Sequence, residues 1–226
     1  PEAATHYILG ISGDIYSELS VDVQTYYKDY TSLVVYNREK KFISEPDYIN
    51  GKGRSYGFET LFRYKYSFLD LYVAYTLGWT SVTINDFKYA PRYDRRHTLN
   101  MLNLTRLTDE IDLGIRWVIA SGYPYSQTIG FYDRLTIPDL GRDSFVNDEG
   151  KVYTILGGKN AARLPTYHRM DITLTYKYQF ERINGNVGLS FVNIYNSKNI
   201  LYYDRKTLQS ITMIPFLPSA FVKVEF

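Results

Sequence analysis

Apolar and polar residues alternate along most of this chain with a period of two, which is the pattern of strands with one oily face and one wet face. Reading back from the C-terminus, apolar residues fall at Phe226, Val224, Val222 and Ala220, and polar ones at Glu225, Lys223 and Ser219; only Phe221 breaks the rule. Nine strands are predicted in this way. The first covers about Ala4–Ser12 and ends in a tight turn at Ser12-Gly13-Asp14. The second runs from about Tyr16 to Tyr36, with Leu19, Val21 and Val23 opposed to Glu18, Ser20, Asp22 and Gln24. After a polar stretch, Asn37–Lys52, the third (about Gly53–Tyr66) sets Tyr56, Phe58, Thr60, Phe62, Tyr64 and Tyr66 against Glu59, Arg63 and Lys65. The fourth opposes Leu71, Val73, Tyr75, Leu77 and Trp79 to Ala74, Thr76, Gly78 and Thr80.

The polar segment Asn85–Arg96 leads to the fifth strand, about His97–Thr105, where alternation is weakest. Thr108-Asp109-Glu110 turns the chain into the sixth, with Ile111, Leu113, Ile115, Trp117 and Ile119 facing away from Asp112, Gly114 and Arg116. Gly122–Tyr167 is long, rich in Gly, Asp and Tyr, and without clear period. The seventh strand, about His168–Tyr178, separates Met170, Ile172, Leu174, Tyr176 and Tyr178 from Arg169, Asp171, Thr173, Thr175 and Lys177. The eighth is about Asn186–Tyr195, and Asn196–Gln209 connects it to the ninth, about Ser210–Phe226, interrupted by Pro215 and Pro218.

Short turns near residues 13, 69, 109 and 183 alternate with long polar segments near 44, 90, 145 and 202, as in transmembrane barrels. A soluble up-and-down barrel also has period-two strands, so the charges decide. Arg63, Lys65, Arg116, Asp171 and Lys177 sit mid-strand, all on faces opposite the aromatic stripe. A charge facing lipid at the midplane costs about 2–4 kcal/mol, whereas one facing a wet lumen is tolerated. The expected fold is therefore all-β: an antiparallel transmembrane β-barrel wall of about nine strands. Single-chain bacterial barrels have an even strand count, so the odd count predicts the C-terminal part of a larger barrel of roughly 22 strands. Residues 1–226 are then the closing part of that barrel, with an extracellular loop at about 122–167 and with the earlier strands and any N-terminal plug lying outside the sequence.

Composition supports this reading. Among 226 residues are 24 Tyr, 12 Phe and no Cys. Tyrosine suits a surface that meets lipid headgroups, where one end of the ring is apolar and the other wet. No run of about 18 apolar residues exists to cross a bilayer as a helix. The lack of Cys excludes disulfides and thiolate metal sites, and a net charge of +2 with interspersed signs gives no nucleic-acid footprint. Pro1 is not an initiator, so a processed chain or a fragment is expected.

Seven motifs, spread in order over nearly the whole chain, resemble the C-terminal barrel region of TonB-dependent outer-membrane receptors. They are Ala4-Thr5-His6-Tyr7-Ile8-Leu9-Gly10, Tyr26-Tyr27-Lys28-Asp29-Tyr30, Gly53-Arg54-Ser55-Tyr56-Gly57-Phe58-Glu59, Pro91-Arg92-Tyr93-Asp94-Arg95-Arg96-His97, Ser121-Gly122-Tyr123-Pro124-Tyr125, Arg163-Leu164-Pro165-Thr166-Tyr167-His168-Arg169-Met170-Asp171, and Asn193-Ile194-Tyr195-Asn196. The resemblance implies residence in the cell outer membrane of a Gram-negative bacterium and uptake of a scarce ligand (siderophore, vitamin, oligosaccharide or peptide) with energy from the inner membrane. It also implies the lipid bilayer and lipopolysaccharide as surroundings, the barrel-assembly machinery as a partner, and contact with TonB through an N-terminal region outside this sequence. The terminal Phe226 would be the assembly signal. A stand-alone small barrel acting as a passive pore, a hydrolase or a structural subunit of a surface complex remains open.

Tyr123, Tyr125, Phe131, Tyr132 and Arg134 lie in the long loop and could stack on or pair with a ligand. Arg92, Arg95 and Arg96, at the top of the fifth strand, could attract an anionic ligand, bind lipopolysaccharide phosphates, or simply pair with loop carboxylates. Glu59, Arg63, Asp171 and Lys177 are the expected lumen residues that touch a plug, or pair with each other. His6, His97 and His168 show no metal-ligand spacing, and Asn147-Asp148-Glu149-Gly150 reads as a turn rather than a calcium loop. No cofactor and no metal are expected. Gly157-Gly158-Lys159-Asn160 is not a phosphate loop, because Tyr153 and Asn160 break the pattern. No GxSxG element marks a hydrolase, so the chain is not expected to be an enzyme.

Overall fold

The computed structural model describes residues 1–37, 40, 42–133, 152–180 and 183–225. Among the described residues sixteen strands follow one another: β1 (Ala3–Tyr16), β2 (Leu19–Tyr36), β3 (Tyr48–Tyr66), β4 (Leu69–Ile84), β5 (Phe87–Tyr89), β6 (His97–Arg106), β7 (Ile111–Ala120), β8 (Pro124–Tyr125), β9 (Thr128–Asp133), β10 (Val152–Leu156), β11 (Ala162–Arg163), β12 (Tyr167–Phe180), β13 (Ile183–Val192), β14 (Ile200–Tyr203), β15 (Ser210–Thr212) and β16 (Leu217–Glu225). Nine of them form one wall in the order β1-β2-β3-β4-β6-β7-β12-β13-β16, each antiparallel to its neighbours. The strand number and the antiparallel arrangement are those the period-two pattern predicts. The rest are small additions at the end of the wall where the long connections lie: β5 pairs with β4, β8 with β11, β9 with β10, and β14 with β15.

The expected turn at Ser12-Gly13-Asp14 is not there. β1 runs straight through it, pairing Ser12 with Asp22 and Gly13 with Val21, and the chain reverses at Ser17-Glu18. Gly13 reads locally as a breaker, but the ladder to β2 continues past it. Consequently β2 begins at Leu19 rather than Tyr16, and β3 begins at Tyr48 rather than Gly53. A bulge between Tyr30 and Leu33 keeps these two long strands paired to their upper ends. Three segments expected to be plain loop also contain strands, one of them Asn196–Gln209, which holds β14. Asn85 and Asp86, both at positive φ (45° and 66°), close a hairpin between β4 and β5, the backbone shape that two-residue hairpins prefer. Within 122–167, β8–β11 and β9–β10 are paired ribbons. The expected ninth strand, Ser210–Phe226, divides into β15, which pairs with β14, and β16, which joins the wall.

The wall has two chemically distinct faces. Tyr7, Tyr27, Tyr56 and Trp79 lie directly opposite one another on β1 to β4, with Tyr56 stacked on Trp79 at 5.4 Å between ring centres. Below them on the same face come Phe58, Phe62, Tyr64 and Tyr66 of β3, then Leu113, Leu174 and Leu189 side by side on β7, β12 and β13. Leu9 and Ile11 are 75% and 74% exposed, so this apolar face is uncovered. The opposite face carries Glu59, Arg63 and Lys65 on β3, Asp112 and Arg116 on β7, and Asp171, Thr173 and Lys177 on β12.

One wall strand departs from the rule. On β6, Asn103 shares the apolar face with Met101 and Leu99, while Leu102 and Leu104 share the polar face with Asn100 and Arg106. Asn103 is partnered on its own strand, where the Thr105 hydroxyl donates to its Oδ1 at 2.8 Å. This inversion is the cause of the weak alternation in the sequence there.

The tightest packing is not in the wall but above it. The largest fully buried side chains are Asn193, Asp94 and Pro124, all in long connections. Within the wall, close packing occurs where a ring lies over glycine. Gly57 and Gly78 face each other on β3 and β4, and the Tyr26 hydroxyl reaches over both on the polar face. A Cβ on either would come within 2.8 Å of that oxygen. Gly57→Val should therefore destabilise the wall by about 1–3 kcal/mol, the usual cost of overpacking, measured as a lowered temperature for loss of the folded, fast-migrating band on gels.

Candidate functional site

Three long connections meet at one end of the wall and enclose a cavity of about 900 Å³. The β5–β6 connection supplies Arg92; the β7–β12 connection supplies Tyr123, Tyr125 and Asn160; the β13–β16 connection supplies Tyr203 and Arg205. The Tyr125 and Tyr203 rings lie 5.4 Å apart, tilted by 34°. Burial, and then the neighbouring Tyr203, push the Tyr125 hydroxyl above the usual phenol range, so it stays protonated and able to donate. Aromatic faces beside guanidinium groups, with a hydroxyl donor between them, suit a ligand with flat or anionic parts.

Two polar clasps hold these connections in place. The first is Asp94, only 2% exposed. Its carboxylate accepts from the Thr80 amide at 2.7 Å and from the Arg163 guanidinium. Arg163 Nη1 also donates to the carbonyls of Asp94 and Gly122, at 3.0 and 3.2 Å. One arginine on β11 thus ties together β4, the β5–β6 connection and the start of the β7–β12 connection. Asn160, at positive φ (53°), adds a bond from its side chain to the Ala90 carbonyl at 2.8 Å. The second clasp centres on Asn193, fully buried and also at positive φ (54°). Its amide donates to Asp171 Oδ1 at 2.9 Å, its side chain donates to the carbonyls of Ser197 and Ile214, and its Oδ1 accepts from the Ser197 amide.

The residues singled out in the sequence separate into several groups. Arg92, Tyr123 and Tyr125 line the cavity. Arg95 lies over the rings of Tyr123 (4.1 Å) and Tyr167 (5.3 Å), and Arg96 over Trp79 at 5.5 Å, so both serve as packing cations. Phe131 and Tyr132 are on the exposed β9–β10 ribbon, with Tyr132 against Tyr153 at 5.8 Å, away from the cavity lining. Arg134, Phe226 and Asn147-Asp148-Glu149-Gly150 lie outside the described residues.

On the polar face, Asp171 pairs with Arg169 at 2.8 Å and Lys177 with Asp112 at 2.6 Å. Glu59 and Arg63 lie on the same face of β3, opposite Gln24 and Ser20 of β2. Asp171, Lys177, Thr173 and Arg116 border a concavity of about 640 Å³ there. Sequence reasoning missed Tyr202, Tyr203, Arg205 and Leu208; the run Tyr202-Tyr203-Asp204-Arg205, dense in the residue types of the rest of the mouth, was the available signal.

His97 Nδ1 is 2.9 Å from the Tyr75 hydroxyl, and His168 Nε2 is 3.2 Å from Ser197 Oγ. The Ser197–His168 contact lies outside the cavity lining, and the described residues give it no carboxylate partner. Among the described residues no three His, Asp or Glu side chains come together as a metal site.

Asp94→Ala should cost about 3 kcal/mol, the low end for breaking a buried ion pair because Arg163 is one-third exposed. Faster protease cleavage within 121–166 at unchanged wall assembly is the expected readout. A second prediction concerns Asp204. Its carboxylate accepts from the amides of Thr207 and Lys206 and from the Thr207 hydroxyl, which holds it below the usual carboxylate range. A depressed folded value means the turn's stability is present above the ordinary carboxylate pKa and is lost as pH falls through the depressed one. Amide exchange at Lys206 and Thr207 should accelerate in that acid window beyond the intrinsic pH trend, and Asp204→Asn should abolish the excess.

No protein-family profile matches the chain, and no curated protein matches its sequence. Solved structures do. The ferric-catecholate import receptor Fiu from Escherichia coli K12 aligns over 99% of this chain and 27% of its own, with a TM-score of 0.62 at 14% identity. The pyoverdine outer-membrane receptor FpvA from Pseudomonas aeruginosa PAO1 aligns over 100% of this chain and 30% of its own, with a TM-score of 0.67 at 11% identity. The copper transporter OprC aligns over 100% and 31%, with a TM-score of 0.60 at 13% identity. The chain thus spans less than a third of the length of each. At such identities the likeness is one of fold, and in fold this chain is a stretch of the barrel wall that TonB-dependent receptors share.

Proposed function

We propose that this chain is the C-terminal portion of a TonB-dependent receptor barrel in the outer membrane, and that its long connections gather a scarce ligand for uptake. The observation that carries the proposal is the cavity built by three separate long connections at one end of a wall whose apolar face is uncovered. Membrane barrels place long loops outside and short turns on the periplasmic side, which makes the cavity an extracellular mouth. The dimensions agree. Tyr66 and Tyr56 lie on one face of β3, about 33 Å apart along the strand and about 25 Å in height at a tilt near 40°, the thickness of the apolar band of outer-membrane barrels.

In this reading the polar face looks into a wet lumen, where Glu59, Arg63, Asp171 and Lys177 meet a plug carried by the preceding part of the receptor. Uptake requires no bond to be made or broken in the ligand. The known relatives by fold include receptors for ferric catecholates and pyoverdine and a copper transporter. A siderophore, vitamin, oligosaccharide or peptide would each find rings and cations in the mouth.

The membrane placement is tested by a neighbouring pair of substitutions in the full receptor. Leu174→Arg puts a charge on the apolar face and should reduce folded protein in outer-membrane fractions, by up to about 2–4 kcal/mol of insertion energy. Thr173→Arg, on the polar face beside Ser190, should assemble nearly normally. Equal damage from both would overturn the facing. The transport reading is tested by the mass of the native polypeptide and by uptake. A denatured mass about three times 26.4 kDa is expected for a receptor with a plug and a barrel of roughly 22 strands. Tyr125→Ala with Tyr203→Ala should slow accumulation of the ligand without lowering the amount of receptor.

A further inference from the structure

At the long-loop end of the apolar face lies a cationic cleft that neither the mouth nor the lumen uses. Just above the aromatic row, Arg54 and Ser81 sit side by side on β3 and β4, and one step higher Lys52 and Lys88 flank Thr83 on β3, β4 and β5. These residues line a concavity of about 520 Å³ together with Asp29. The bulge in β2 and the β4–β5 hairpin form its sides, so the local irregularities of the wall create it.

Three cations thus face one carboxylate. Asp29 accepts from Arg54 Nε at a long 3.4 Å, and among the described residues Lys52 and Lys88 make no ion pair. Strands are spaced about 4.8 Å apart, so two lysines on either side of β4 stand roughly 10 Å apart at their backbones. That separation lets both ammonium groups converge on one tetrahedral anion, with the Ser81 and Thr83 hydroxyls as further donors.

The position selects the source of the anion. Directly below the cleft are Tyr56 and Trp79, with the Arg96 guanidinium on Trp79, and below them Phe58 and Leu77 continue the apolar face. A phosphate seated between Lys52 and Lys88 would leave attached acyl chains running down that face. We propose that this cleft binds the phosphate of an anionic glycolipid of the outer leaflet, of the kind lipopolysaccharide presents, with Lys52 and Lys88 as its direct partners. The proposal rests on the membrane placement of the wall and is independent of what the mouth takes up.

The experiment uses the full receptor in detergent, titrated with lipopolysaccharide, with its phosphatase-treated form, and with inorganic phosphate. Wild-type protein should retain phosphorylated lipopolysaccharide in native mass spectra and lose most of it when the phosphates are removed. The double variant K52Q/K88Q should bind roughly thirtyfold more weakly, since each cation near an anionic lipid surface contributes about five- to sixfold. K198Q, an exposed loop lysine outside the cleft, should bind normally. Unchanged binding by K52Q/K88Q, equal retention of dephosphorylated lipid, or complete displacement by inorganic phosphate would each overturn the lipid site. A receptor that fails to enter lipid vesicles would remove the membrane placement as well, whereas normal insertion with unchanged binding removes this site alone.

Discussion

In the membrane setting proposed for it, a wall that turns aromatic and aliphatic side chains outward must pair nearly all of its backbone amides and carbonyls with itself, because hydrocarbon offers them no partner. That constraint orders everything else here. It explains why neighbouring strands are joined by long antiparallel ladders, why a glycine as turn-like as Gly13 stays in register, and why irregular backbone is kept toward the strand ends. A bulge at Tyr30–Leu33 and a hairpin at Asn85-Asp86 lie near the upper margin and a register shift at Asp14–Tyr16 near the lower one, where water or loop groups can meet the freed polar atoms.

Packing follows from the same constraint. A single sheet cannot bury a core between two layers, so the usual source of stability is absent from the wall itself. Cross-strand contacts replace it: leucine beside leucine on β7, β12 and β13, and a phenol ring over paired glycines on β2, β3 and β4. Desolvated polar groups then appear where loops fold back on one another, at Asp94, Asn193 and Asn199. The mouth is consequently shaped by buried hydrogen bonds rather than by apolar collapse, and its form depends on a few residues far apart in sequence.

The wall was legible in the sequence because period-two alternation is a local signal of a sheet with one apolar and one polar face. Strand faces read from β3, β4, β7 and β12 agree with the observed registers. Boundaries were less legible, since local turn chemistry at Ser12-Gly13-Asp14 competes with a long-range ladder and loses. The mouth was readable only in part. Tyr123, Tyr125 and Arg92 fall on it, whereas Tyr203 and Arg205 come from a segment that looked like a plain connection. The Asp94–Arg163 clasp could not be foreseen, because its members are 69 positions apart and no pattern in either stretch points to the other.

The exception on β6 has its own significance. A one-residue slip of a strand exchanges its two faces, and in most of this wall such a slip would bring charges to the outside. In the middle of β6 the exchange would trade Leu99, Met101 and Asn103 for Asn100, Leu102 and Leu104, each set two apolar residues and one asparagine. Its central side chains therefore carry almost no preference for one alignment over the other. What fixes it is Tyr75 bonded to His97 at one end and Arg106 opposite Asp112 at the other, both supplied by the strands on either side. The alignment of β6 is thus set by its two ends against β4 and β7 rather than by the pattern along its middle.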